Sequence, residues 1–171
     1  MSKINDSKAY NVINMFADMH KNDIYRYKDL QELADVSERS FKDYIKTIKE
    51  AIDYLKLPYI LRYDSIKEGY QLIELPDFET NEFPKMPADK ANDFMLFYIF
   101  SLLYRHAHFN HTIFDLLYPG HKKETFYRTI ETLRTAISIG MNMDLKYNKN
   151  NKSYEIVDYS DYDYYDDEED W

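Results

Sequence analysis

The amino-acid sequence predicts a mainly α-helical α+β fold in which one small unit, three helices followed by a β-hairpin, occurs twice in tandem. Two observations indicate this. Apolar residues recur at helical spacing and then alternate, once in each half of the chain, and three blocks of sequence recur in the same order. The predicted organisation is a first domain at residues 1–75, a linker at 76–89, a second domain at 90–157 and a tail at 158–171.

The internal repeat has a nearly constant offset. The first and third blocks recur 84 residues later and the second block 85 residues later. The aligned pairs are Val12–Phe16 with Leu96–Phe100, Ser40–Ile48 with Thr125–Leu133, and Leu61–Ile73 with Leu145–Val157. Two unrelated amphipathic helices could share one such block by chance. Three blocks in order favour a duplicated unit.

The first unit is predicted to begin with three helices. Ala9–Lys21 carries an apolar stripe, and Leu30 and Leu33 lie on a short second helix. Ser37 has the side chain of a helix N-cap, so we expect a third helix to start there and to be ended by Pro58. The predicted core positions of this helix share one face: Phe41, Tyr44, Ile45, Ile48, Ile52 and Leu55.

The second unit is predicted to have the same order of elements. Its helices are expected at Ala91–Arg105, near Thr112–Leu117 and at Lys122–Ile139, with Gly140 as the C-cap of the last. A hairpin should follow the third helix of each unit. The expected strand pairs are Tyr59–Tyr63 with Tyr70–Ile73, around a turn at Asp64–Gly69, and Met143–Tyr147 with Ser153–Val157, around a tip at Asn148–Lys152.

The composition argues against several classes of protein. The 171 residues include no cysteine, which excludes disulfides and thiolate sites. Three glycines are too few for a typical glycine-rich phosphate loop. The N-terminus lacks the apolar segment of a secretory signal, and the longest apolar stretch, Phe94–Tyr104, is far shorter than a membrane-spanning helix. We therefore expect a cytoplasmic protein with no membrane association.

The net charge of −9 is concentrated at the C-terminus. Eight acids and no Lys or Arg follow Val157, and without them 23 acids oppose 22 bases. The acidity of the whole chain therefore does not exclude a basic binding face. Aromatic residues alternate with the acids of the tail: Tyr159, Tyr162, Tyr164, Tyr165 and Trp171. Such a tail is either a solubilising segment or an element that binds a basic groove, in a partner or in this chain's own DNA-binding face.

The segment Leu30–Ile48 resembles the helix-turn-helix of DeoR-type and Mga-type bacterial transcription regulators. The matching positions are Val36, Ser37, Ser40, Phe41, Ile45 and Ile48. Asp35 stands where a turn glycine is usual and is expected to adopt the left-handed conformation. The second unit retains Thr125, Phe126, Ile130 and Leu133 but has Pro119, Gly120 and His121 in place of Val-Ser. The resemblance implies two tandem winged-helix domains.

In winged-helix proteins the third helix enters the major groove and the hairpin, or wing, contacts phosphates. The resemblance therefore implies double-stranded DNA as the partner. In the first unit the implied contacts are Ser37, Arg39, Ser40, Lys42, Lys46 and Lys67; in the second they are Lys122, Lys123, Thr125, Tyr127, Arg128, Lys149 and Lys152. His121–Lys152 contains seven bases and three acids, whereas Ser37–Glu68 contains seven bases and six acids. The second unit is therefore the stronger candidate for DNA binding.

Histidines near the middle of the second unit also have a spacing that metal sites use. His106, His108 and His111, with Asp115, could bind a metal ion if the helix broke near Asn110. We favour the simpler interpretation, a polar helix end and loop. Since no other residues have a spacing typical of a catalytic site, we predict no enzyme activity, cofactor or metal.

Together these features predict a sequence-specific DNA-binding transcription regulator of a bacterium or its mobile element, acting as a monomer or a homodimer. Two alternatives stay open. One is a non-enzymatic adaptor or inhibitor that binds a protein partner through the acidic tail, because tandem winged helices are also similar to chromosome-segregation adaptors. The other is a replication initiator, because they are similar to plasmid initiators too.

Overall fold

The computed structural model describes residues 8–76, 83–105 and 107–158. These residues form six helices and two antiparallel hairpins, which confirms the α+β prediction. The elements in chain order are α1 Lys8–Met19, α2 Tyr27–Leu33, α3 Glu38–Leu55, β1 Tyr59–Asp64, β2 Gly69–Glu74, α4 Ala91–Tyr104, α5 His111–Leu117, α6 Lys123–Met141, β3 Asp144–Asn148 and β4 Ser153–Val157. None of the described helices is both long and apolar enough to cross a membrane.

The chain divides into two compact units, Met1–Glu82 (unit 1) and Phe83–Trp171 (unit 2). The division falls inside segment 76–89, the predicted linker, which contains Pro76, Pro84 and Pro87. Each unit contains three helices followed by one hairpin. The acidic tail beyond Asp158 lies outside the described residues.

The ends of the third helices agree with the sequence only in part. Ser37 is the N-cap of α3, where its Oγ accepts the N–H of Ser40 at 3.1 Å, as predicted. Helix α3 ends at Leu55, where Lys56 adopts a left-handed conformation (φ 53°), so Pro58 is not what stops it. The prediction for Gly140 was wrong. It lies buried inside α6, and Asn142 takes the left-handed position (φ 52°) after the helix has run on to Met141.

The connection between α2 and α3 also differs from the prediction. Ala34 caps α2 in an extended conformation (φ −149°, ψ 146°), with its N–H donating to the carbonyl of Leu30 at 2.9 Å. Asp35 is not among the residues with positive φ, so the left-handed turn expected there was wrong. Ser37 is extended as well (φ −77°, ψ 163°), so the connection from α2 to α3 has extended backbone at both of its ends.

In each unit one residue outside the hairpin forms an isolated β-bridge with the second strand, which the sequence did not predict. Strands β1 and β2 pair from Tyr59 with Glu74 to Asp64 with Gly69, and β3 and β4 pair from Asp144 with Val157 to Asn148 with Ser153. An antiparallel bridge then joins Tyr25 to Tyr70 in unit 1 and Phe109 to Tyr154 in unit 2. Both bridges come from the segment between the first and second helices, which ties that segment to the hairpin.

The aromatic cores of the two units repeat almost contact for contact. Tyr25 stacks on Phe41 with ring centroids 6.4 Å apart and an interplanar angle of 20°. The equivalent rings of Phe109 and Phe126 lie 6.5 Å apart at 24°. On the hairpins, Tyr63 and Tyr70 lie 5.1 Å apart, and the equivalent Tyr147 and Tyr154 lie 5.2 Å apart. The repeat found in the sequence is therefore also a repeat of packing.

Both cores are centred on the third helix. All six core positions predicted for α3 are buried. Unit 1 also buries a polar pair, since the Tyr25 hydroxyl donates to Asp18 Oδ2 at 2.8 Å. Burial raises the pKa of Asp18 above its ordinary value, and burial and the Asp18 charge raise the pKa of Tyr25. Tyr25 therefore remains a protonated donor, which fixes the segment between α1 and α2.

Candidate nucleic-acid interface

Most of the residues implied as DNA contacts are exposed to solvent and therefore accessible to a ligand. Three are half-buried: Ser40, Thr125 and Tyr127. The other ten are exposed: Ser37, Arg39, Lys42, Lys46, Lys67, Lys122, Lys123, Arg128, Lys149 and Lys152. Within each unit they belong to the third helix, the residue or turn before it, and the tip of the hairpin.

In unit 1 the exposed bases form a row along α3. Arg39, Lys42 and Lys46 are three and four residues apart, so their side chains lie on neighbouring turns of one face. The carboxylate of Asp43 on the same helix is compensated by Lys8, whose Nζ lies 2.8 Å from Asp43 Oδ2. Ser37 and Ser40 form the cap, with the Ser37 hydroxyl donating to Ser40 Oγ at 3.2 Å. The two serines therefore position the start of the helix.

The two hairpin tips have one architecture and different charges. In unit 1, Asp64 Oδ1 accepts the N–H groups of Ile66 and Lys67, and those hydrogen bonds hold the pKa of Asp64 below its ordinary value. In unit 2, Asn148 Oδ1 accepts the N–H groups of Asn150 and Asn151 in the same way. The left-handed position that closes each tip is Glu68 in unit 1 and Lys152 in unit 2. Two acids in the first tip are thus replaced by a neutral amide and a base in the second.

Unit 2 separates its structural bases from its exposed ones. Arg134 pairs with Glu131, lies 3.6 Å from Asp144, and donates to the carbonyl of Leu145 at 3.1 Å. Lys146 lies 3.8 Å from Asp144. Both bases, which entered the charge balance of the sequence, are therefore engaged within the fold: Arg134 fastens α6 to β3, and Lys146 lies beside Asp144 within β3.

Five exposed bases remain around the start of α6 and the tip of its hairpin: Lys122, Lys123, Arg128, Lys149 and Lys152. Glu124 on the first turn of α6 is an exposed acid among them, and the exposed Glu131 farther along the helix pairs with Arg134. Lys123 Nζ lies 5.8 Å from the centroid of the Tyr127 ring, which places that half-buried ring beside the basic group. We call these five residues the basic surface of unit 2.

A cluster of histidines and a carboxylate lies next to the basic surface. His111, Asp115 and His121 place one ligand atom each within 4.8 Å of one another. The sequence had instead grouped His111 and Asp115 with His106 and His108. His106 lies outside the described residues, and His108 is exposed with its Nδ1 3.4 Å from Ser153 Oγ. Sequence analysis missed His121, although the turn at Pro119-Gly120 (φ 79° at Gly120) was a signal that the chain folds back toward α5.

No protein-family model matches the chain, and neither a curated protein nor a solved structure matches it.

Proposed function

We propose that the protein is a non-catalytic, sequence-specific regulator that binds double-stranded DNA through two tandem winged-helix domains. The order of elements supports the domain type, because three helices, a hairpin and a bridge to that hairpin occur in each unit. The basic surface of unit 2 carries the functional proposal. Its five bases lie at the start of a third helix and on a hairpin tip, the two places from which winged helices contact DNA.

The two units are suited to different parts of recognition. Contacts from Lys and Arg to phosphate supply affinity without selecting a sequence, and the hairpin lysines Lys149 and Lys152 fit that role. In unit 1, Arg39 and Lys42 lie on the exposed face of α3, the position from which side chains reach base edges. Glu38 beside them reduces nonspecific attraction. We propose that unit 2 contributes more of the affinity and unit 1 more of the selectivity.

A selection from random duplexes at low salt, followed by mobility shifts over a range of salt, tests this proposal. We expect an enriched sequence whose binding weakens as salt rises, because each base that neutralises a phosphate releases counterions. If the five bases of unit 2 each contact one phosphate, the logarithm of the association constant should fall with the logarithm of salt with a slope of about −4.5 or steeper. Absence of any enriched or retained duplex at low salt would remove the regulator proposal.

A second candidate function is a protein-binding adaptor or inhibitor, which the eight acids after Val157 favour. Truncation after Val157 separates the two functions. If the protein is a DNA-binding regulator whose tail competes with phosphate, the truncated chain should bind DNA more tightly at low salt, and the gain should shrink as salt screens the competition. If it is an adaptor, truncation should leave DNA retention unchanged and abolish capture of a partner by the immobilised full chain.

A further inference from the structure

The cluster of His111, Asp115 and His121 lies in the connection between α5 and α6. His111 is the first residue of α5, Asp115 is one turn later, and His121 precedes α6. Asp115 Oδ1 lies 2.5 Å from His121 Nε2 and 3.6 Å from His111 Nε2. Three groups that bind transition metals thus converge from a helix and from the loop that follows it.

Unit 1 has a side-chain hydrogen bond at the corresponding connection. Tyr27 is 84 residues before His111, and its hydroxyl donates to the carbonyl of Val36 at 2.6 Å. That bond ties the start of α2 to the segment that leads into α3. In unit 2 an imidazole occupies the position of this tyrosine, and Asp115 occupies that of Gln31. The repeat therefore replaces one hydrogen bond with three potential ligands at the same point of the fold.

The hydrogen bonding of His121 orients a lone pair into the cluster. Its Nδ1 lies 3.1 Å from the carbonyl oxygen of Lys122, and a carbonyl can only accept, so Nδ1 carries the proton. In the neutral ring Nε2 then presents a lone pair to the carboxylate oxygen at 2.5 Å. Two such lone pairs repel unless a cation lies between them, which is a proton at the present separation or a metal ion once the two atoms move to about 3.3 Å apart. A carbonyl that fixes the tautomer in this way is a common outer partner of metal-bound histidine.

The surroundings bury the His121 side chain and leave the Asp115 carboxylate and the His111 side chain, which is 42% exposed, adjustable. The His121 ring lies 4.4 Å from Phe114 and the His111 ring 5.1 Å from Phe126, in edge-to-face contacts. The side chain of His121 is 4% exposed and that of Asp115 is 54% exposed. Ligand atoms on a tetrahedral zinc ion lie about 3.3 Å apart, so small movements of the exposed carboxylate and of His111 would complete the geometry. Solvent on the Asp115 side is available as a fourth ligand.

We infer that His111, Asp115 and His121 bind one divalent transition-metal ion of the zinc class. Two imidazoles and one carboxylate form a ligand set typical of zinc. The bound ion would join α5 to the start of α6, as the hydrogen bond from Tyr27 does in unit 1. This inference does not depend on whether the protein binds DNA.

Titration of the chelator-treated full-length chain with Co²⁺, followed by displacement with Zn²⁺, tests the inference. We expect one Co²⁺ per chain with the d–d absorption bands of a site of low coordination number, and loss of those bands when Zn²⁺ is added. Zn²⁺ should also raise the temperature at which unit 2 unfolds, because the ion binds the folded state. The bands should be lost in His111→Gln, Asp115→Asn and His121→Gln.

Two further variants are the controls. His108→Gln removes an exposed histidine outside the cluster and should keep the Co²⁺ spectrum. His111→Tyr restores the residue of unit 1 and should lose the spectrum while the chain remains folded by circular dichroism. The inference would be overturned by a chain that binds no Co²⁺, or by a Co²⁺ spectrum that survives in both Asp115→Asn and His121→Gln, because the cluster would then not be the metal site.

Discussion

Replacement of all five bases of the basic surface by alanine is expected to weaken DNA binding on the order of 10³-fold at 0.1 M salt, whatever the DNA sequence. The expectation follows from their position. All five are exposed at the start of α6, on its first turns or on the hairpin tip, and the nearby Arg134 and Lys146 are engaged with acids of the fold. Because winged helices contact phosphates from these two places, mobility shifts on the selected duplex and on a scrambled one should weaken alike.

Variants with one or two substitutions test the separate contributions of the two units to DNA binding. Lys149→Ala with Lys152→Ala should reduce the salt slope by about 2. Arg39→Ala or Lys42→Ala should instead change the preference among duplexes, because these side chains are placed to reach base edges. Lys85→Ala, an exposed base before α4, is the control and should bind like the unchanged chain. If the variants on α3, α6 and the hairpin tips all match that control, DNA binds to a different surface.

The architecture was predictable because the signals for it are local. A helical stripe or an alternating strand is visible within a dozen residues, and the repeat supplied two independent examples of each. Ser37 was recognised as an N-cap because capping needs an oxygen on that side chain and an N–H three residues later. The exposure of Arg39, Lys42 and Lys46 followed from the buried face of the same helix.

What the sequence did not reveal depends on contacts between distant elements. The bridges from Tyr25 to Tyr70 and from Phe109 to Tyr154 involve single residues, which leave no periodic pattern. Gly140 was predicted as the C-cap of α6, whereas the C-cap is Asn142. The buried face of the helix continues past Ile139 to Gly140, and a glycine inside a helix can be mistaken for its end. His121 lies near His111 and Asp115 because the loop between α5 and α6 folds back, and residue spacing does not specify the path of a loop.

Phe126→Ala is expected to lower the free energy of unfolding of unit 2 by about 3–5 kcal/mol. The Phe126 ring is 1% exposed and packs against Phe109, Phe114 and Tyr154, so its removal leaves a cavity between α5, α6 and the hairpin. Phe41→Ala, at the equivalent position, should lower the stability of unit 1 in the same way, because Phe41 packs against Tyr25, Tyr27 and Tyr70.

Hydrogen exchange locates each of these losses. In Phe126→Ala, backbone amides from 83–105 and 107–158 should lose protection while those of unit 1 keep it, and Phe41→Ala should show the reverse. Leu116→Ala is the control for unit 2. Its side chain is 58% exposed, so the change should stay within about 0.5 kcal/mol. If each phenylalanine variant lowered the protection of amides in both units, the two cores would unfold as one cooperative structure. The proposed division of binding roles between separate units would then lose its structural basis.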